Sequence, residues 1–190
     1  MARGNRHYDN LVKTVLEHSE SSDWYSAVNE WSIVNVEEDD SMMESCICGK
    51  ENLRYLFSIK NINNGNVLFP IGSSCIRKFG RSELNEEVVV KEQLFKLLHT
   101  IEDSRFLILS AEFFSRKLIQ FLYEKGAFRP TVYNHYNPSE DYQFILDMFN
   151  KKTALTTSQD RKVAAIILNS IKPFLQEMLQ DRIRKHFQEG

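Results

Sequence analysis

The chain has 190 residues, enough to bury one substantial core or two small ones. It is 42% apolar and 26% charged, an ordinary balance for a soluble globular protein. No apolar stretch reaches the roughly 20 residues needed to cross a membrane, and the start, MARGNRHYDN, lacks the apolar core of a secretory signal. No membrane association and a cytoplasmic location are therefore expected.

The net charge of −2 hides an uneven distribution. Residues 1–50 hold 4 Lys/Arg against 10 Asp/Glu, whereas residues 151–190 hold 8 against 4. An acidic start and a basic end point to two faces with different partners, or to solvated helix faces.

In chain order, Tyr8, Leu11, Val12, Val15 and Leu16 recur with helical spacing, and SESSD ends that helix. Asp23 can cap a second helix that buries Trp24, Ala27, Val28 and Trp31. SIVNVEEDD then reads as a strand running into an acidic loop. LRYLFSIKN and VLFPI read as two strands, joined through Asn64-Gly65, a pair suited to positive φ values. Gly72 breaks the second strand. Ser73 or Ser74 can cap a helix containing Cys75 and Phe79. Beyond about Gly80 the pattern turns helical. EEVVVKEQLFKLLHTI is amphipathic, and FLILSAEFFSRKLIQFLYEKG stops at Gly126 with Pro130 beyond. Phe106, Leu109, Phe113, Phe114, Leu118 and Phe121 are expected in its core. The loop TVYNHYNP follows, and Pro138 or Ser139 opens the next helix. The last helical region covers about 158–187, where Pro173 should kink or interrupt it. The expected fold is α+β: a small treble-clef-like zinc β-hairpin module with acidic N-terminal helices over residues 1–82, then an α-helical bundle over 83–190.

There are three cysteines. A small secreted domain usually carries an even, dense set, so an odd number points to free thiols or metal ligands. Cys46-Ile47-Cys48-Gly49 places two sulfurs on a tight turn, and Cys75 follows the predicted hairpin at a helix start. There the helix dipole favours a thiolate. Zinc favours thiolate sulfur and takes four ligands tetrahedrally. The fourth ligand is open among His18, His99, His7, Glu44 and water. His18 is preferred because its segment directly precedes the module. Three unrelated buried thiols and a reactive-thiol enzyme are the competing readings. No histidine or aspartate lies near a cysteine in a nucleophile motif. The zinc-deaminase pattern and H-E-x-x-H are absent as well. A structural Zn2+ in a non-enzymatic protein is expected.

The motif residues also carry a resemblance. Glu30-Trp31, Cys46-Ile47-Cys48-Gly49, Ile59-Lys60-Asn61 with Asn64-Gly65, and Gly72-Ser73-x-Cys75-Ile76-x-x-Phe79 form a pattern similar to a family of small phage and mobile-element zinc-knuckle proteins. The segments 118–128 and 142–151 resemble the helical tail of longer members, so the likeness spans most of residues 24–180. Relatives often carry histidine directly after C-x-C-G, where this chain has Lys50. Some similar phage proteins are anti-CRISPR inhibitors, so the resemblance implies a protein that binds a host RNA-guided nuclease.

Such a nuclease holds nucleic acid in a positive channel. Glu37, Glu38, Asp39, Asp40 and Glu44 can occupy it in place of phosphates. The alternatives are an adaptor for host transcription or replication proteins, and a nucleic-acid-binding module. The latter would use Arg77, Lys78, Arg81, Arg161, Lys162, Lys172, Arg182, Arg184 and Lys185. Its bases would stack on Tyr133, His135 and Tyr136, although the pI of about 6.2 is low for a dedicated binder.

Overall fold

The computed structural model describes residues 6–103 and 105–188, with side chains through residue 181. Arg182, Arg184 and Lys185 of the expected basic end therefore lie outside the described side chains. The architecture is α+β, with several helices and one three-stranded antiparallel sheet. The chain divides into two units, Met1–Val89 and Val90–Gly190. The division falls inside a long helix, a few residues beyond the change of pattern at 82/83.

In the first unit, α1 (Arg6–Glu17) buries Leu11 and Val15, one turn apart on one face. Asp23 caps the short α2 (Trp24–Ala27) by accepting from the Ser26 N–H at 3.0 Å. The helix stops sooner than expected. A 3-10 turn over Val28–Glu30 leads out of it, and Trp31 opens β1 (Trp31–Glu38) instead of closing α2. The Trp31 indole N–H donates to Ser19 Oγ at 2.9 Å, and the ring is 1% exposed. β2 (Tyr55–Asn61) pairs antiparallel with β1 on one side and with β3 (Val67–Ile71) on the other. In the β2–β3 turn only Gly65 takes a positive φ, 80°, so the expected conformation holds for the glycine and not for Asn64.

α3 (Ser73–Ile76) is a single turn, and its N-cap is Gly72 rather than either serine. Gly72 is needed there for space: a Cβ on it would lie 2.9 Å from Leu53 Cδ2. One apolar cluster takes in Leu11, Val15, Trp31, Phe57, Ile59, Ile71 and all three cysteines.

A polar clasp ties this unit together at the hairpin turn. The buried Glu30 carboxylate accepts from the Glu20 and Ser21 N–H groups, each at 2.8 Å, and from the Asn61 amide at 2.6 Å. Asn61 Oδ1 accepts from the Asn63 and Asn64 N–H groups, at 2.9 and 3.2 Å. The Asn64 and Asn66 amides both donate to the His18 carbonyl at 3.0 Å. The E-W and I-x-N-x-x-N-G residues are therefore architectural. They satisfy the backbone groups left bare where α1 ends and the hairpin turns.

The second unit begins within α4 (Ser82–Glu102) and continues through α5 (Arg116–Glu124), α6 (Pro138–Asn150), α7 (Thr157–Ile166) and α8 (Lys172–Gln188). Residues 105–114 are not helical, contrary to the expected long apolar helix. Ser115, in extended conformation, caps α5 by accepting from the Leu118 N–H. Phe106 is consequently 92% exposed rather than core, whereas Phe114 and Leu118 are buried. Pro173 does not interrupt the last helix. A π-helical turn, Ile167–Ile171, widens the backbone just ahead of it and makes room for the missing donor and the ring. Tyr123 and Tyr142 stack at 4.4 Å, with Phe128 edge-on to both. Among the described residues no helix is long and apolar enough to cross a membrane.

The clasp is testable. Asn61→Leu should cost about 2–3 kcal/mol in denaturant unfolding, because Glu30 and the turn each lose a buried partner. Hydrogen bonds from Ser21 first, then from Asn61 and the Glu20 and Ser21 N–H groups, outweigh burial and hold the Glu30 carboxyl down at about 2, from 4.5. A depressed carboxyl stabilises the fold above its unfolded value. That contribution is lost as pH falls from about 4.5 to about 2. Glu30→Gln should flatten the fall in stability across this window.

Candidate metal centre

Three features bring the cysteines together. The C-x-C-G turn closes by hydrogen bonds from the Gly49 N–H to the Cys46 carbonyl at 2.7 Å and from the Cys46 N–H to the Lys50 carbonyl at 2.8 Å. Gly49 sits at φ 85°, where a side chain would be strained. The Ile47 N–H donates to the Pro70 carbonyl at 2.9 Å, so the turn hangs on the end of β3. Gly72 then directs the chain into α3, which carries Cys75.

Cys75 Sγ lies 3.4 Å from Cys48 Sγ and 3.7 Å from Cys46 Sγ. All three sulfurs lie within 4.8 Å of one another and are buried. A disulfide needs about 2.05 Å, so these are free thiols. The Gly72 N–H points at Cys46 Sγ from 3.3 Å. The Cys46 thiol is pushed down to about 5, chiefly by the hydrogen bond from Cys75 and also by the Cys48 and Gly72 N–H groups. Cys75 moves the opposite way, raised by its hydrogen bond to Cys46, by burial and by its charged neighbours. The sequence had placed the favoured thiolate at Cys75. The single turn of α3 offers little dipole, and the N–H donors converge on Cys46 instead. Like charges this close cannot all persist in a buried site unless a cation joins them. Three buried thiols around one point, with an N–H aimed at one sulfur, fit a thiophilic metal ion.

The preferred fourth ligand is not in the cluster. His18 sits at the far end of α1, with Nδ1 2.9 Å from the Thr14 carbonyl and its own carbonyl in the clasp. Its imidazole is outside the group formed by the three sulfurs. Glu44 is exposed and also outside that group. A different histidine reaches the turn: His7 Nδ1 lies 3.0 Å from the Cys48 carbonyl, beside the Asn10 amide at 3.3 Å.

The acidic loop divides into supports and surface. Glu38 has a fully buried side chain and pairs with Arg54 at 3.0 Å. Asp39 folds the loop by accepting from the Ser41, Met43 and Glu44 N–H groups and the Ser41 hydroxyl, and that hydroxyl draws its carboxyl below the usual range. Glu37, Asp40 and Glu44 remain exposed. Sequence reasoning grouped all five because charge alone does not reveal which carboxylates the loop consumes.

The expected basic set is similarly reduced. Arg81 donates to the Val28 and Trp31 carbonyls and pairs with Glu83 at 2.7 Å. Lys78 lies 5.5 Å over the Tyr8 ring, and Lys162 lies 4.3 Å over the Phe144 ring. In the second unit, Tyr133 and Tyr136 are 92% and 69% exposed. They flank His135, and both His135 and Tyr136 adopt positive φ values, 53° and 59°. The fully buried Asn134 holds this loop by bonds to the Thr131 N–H, the Arg129 carbonyl and Asp141.

No family model, curated protein or solved structure matches the chain. The metal centre is testable on the protein itself. Elemental analysis of protein purified without chelator should find about one equivalent of thiophilic metal. Cys75→Ser should lower that content and the thermal midpoint together, since metal bound only by the folded state stabilises it.

Proposed function

We propose that the first unit is a zinc-stapled, non-catalytic docking module, whose acidic loop occupies the positive nucleic-acid channel of a host RNA-guided nuclease. The observation that carries the reading is the loop beside the thiol cluster. Glu38–Arg54 and the Asp39 turn hold its backbone; Glu37 at the end of β1, and Asp40 and Glu44 on the loop, stay exposed. Carboxylates on a braced loop can meet arginines and lysines without a large ordering cost.

Zinc is the metal that fits best. Thiolates 2.3 Å from a tetrahedral zinc stand about 3.8 Å apart, close to the observed 3.4 and 3.7 Å. Zinc has no redox chemistry of its own, and in a closed thiolate site it fixes the fold. Among the described residues no histidine, aspartate or glutamate joins the three sulfurs in their group, which favours a scaffold over a catalytic role.

Binding to a guide-loaded nuclease should weaken steeply with added salt, because the contacts are exposed charges. The Glu37→Gln, Asp40→Asn, Glu44→Gln variant should lose about tenfold or more in affinity, roughly 1.4 kcal/mol or more. Target DNA should compete with the wild-type protein. A tight complex that ignores both DNA and these substitutions would remove the channel reading.

The aromatic loop favours a second reading, in which the second unit binds single-stranded nucleic acid. Non-glycine residues in left-handed conformations cost about 1 kcal/mol or more each. Here two of them accompany exposed tyrosines that offer stacking faces. A gel-shift titration with single-stranded DNA and RNA should show binding that Tyr133→Ala with Tyr136→Ala abolishes. No shift with either nucleic acid at moderate salt ends this reading.

A further inference from the structure

The 3.4 and 3.7 Å sulfur separations raise the question of the fourth ligand. Three sulfurs at 2.3 Å in a plane around the metal would stand about 4.0 Å apart, whereas a tetrahedral face needs about 3.8 Å. Zinc in a structural site takes four ligands, and the three sulfurs supply three of them.

We propose that His7 supplies it through Nε2. This inference rests on the metal reading of the three thiols. His7 is exposed at the start of α1, one helical turn before the fully buried Leu11 and on the same side of the helix. Leu11 and Val15 belong to the same buried cluster as Cys46, Cys48 and Cys75, which fixes α1 against the knuckle. His7 and Asn10 lie against the C-x-C-G turn: a Cβ on Gly49 would sit at ordinary contact distance, 3.8 Å, from both His7 Nδ1 and Asn10 Nδ2. The hydrogen-bonding role of the ring is also suited to ligation. Nδ1–H donating to the Cys48 carbonyl at 3.0 Å leaves the lone pair on Nε2. A ligating histidine commonly pairs its other nitrogen with a backbone carbonyl in this way.

The imidazole is not within 4.8 Å of all three sulfurs, so closing the site takes a movement of His7 from its observed position. Ligation would thereby lock the start of α1 onto the C-x-C-G turn.

Cobalt(II) titration of the full chain tests this, with His7→Gln and His18→Gln beside the wild type. The wild type should show thiolate-to-cobalt charge-transfer bands and a tetrahedral ligand-field envelope. His7→Gln should keep the charge-transfer bands, alter the ligand-field envelope and weaken zinc binding by at least roughly tenfold. His18→Gln should match the wild type. Identical spectra and affinity in His7→Gln and wild type would overturn the assignment of His7 while leaving the thiolate site standing. Absence of charge-transfer bands in the wild type would overturn both. If His7→Gln does not fold, cadmium-loaded wild type with nitrogen-labelled histidine decides. Scalar coupling between cadmium and the His7 imidazole supports the assignment, and coupling to no imidazole or to His18 overturns it.

Discussion

A buried thiolate must be neutralised or hydrogen-bonded, and the first unit places three sulfurs where at most one can carry charge unaided. Much of its local structure follows from holding those sulfurs together. Gly49 makes the turn tight enough for two of them to converge. The Ile47 bond to Pro70 attaches that turn to β3, and Gly72 lets Leu53 press close where the chain enters α3. A sheet of three strands is a small base for an independent unit. A metal held by these thiols would link the loop before β2 to the helix after β3 and lessen what the apolar cluster alone must hold.

The opposite end of the same hairpin is secured by different chemistry. There Glu30, Asn61, Asn64 and Asn66 satisfy backbone groups that no strand or helix can reach. A buried thiol cluster at one end and an anionic clasp at the other brace the sheet at both ends. They respond to different stresses: the thiol cluster to chelation and oxidation, and the clasp to acid. Between them β1 runs directly into the acidic loop, so the exposed carboxylates are carried on a supported strand. This is the physical basis for reading the loop as a recognition surface.

Sequence reading succeeded where the signal is local. C-x-C-G, the Asp23 cap, the three strands and the glycine stop at Gly126 each depend on a few neighbouring residues, and each is present. It failed where the answer depends on tertiary placement. His7 lies in the first turn of α1 and His18 just past its end, and they look alike in sequence, yet 41 positions separate His7 from the carbonyl it meets. Glu38 and Asp39 resemble their exposed neighbours until Arg54 and the loop N–H groups are seen to engage them. The run containing Phe106 is apolar enough for a buried helix. Ser115 offers a cap, however, and a cap within an apolar stretch competes with helix continuation. Pro173 shows the reverse case, because a widened turn lets the helix continue past a residue that ordinarily ends it.

The claim that unit one folds around a metal held by Cys46, Cys48 and Cys75 is tested most directly by X-ray absorption at the zinc edge of the purified full chain. Three sulfur neighbours at about 2.3 Å with one lighter atom at about 2.0–2.1 Å is the predicted first shell. Zinc surrounded only by nitrogen and oxygen, or protein purified without any metal that nevertheless unfolds at the same temperature with and without added zinc, would contradict it.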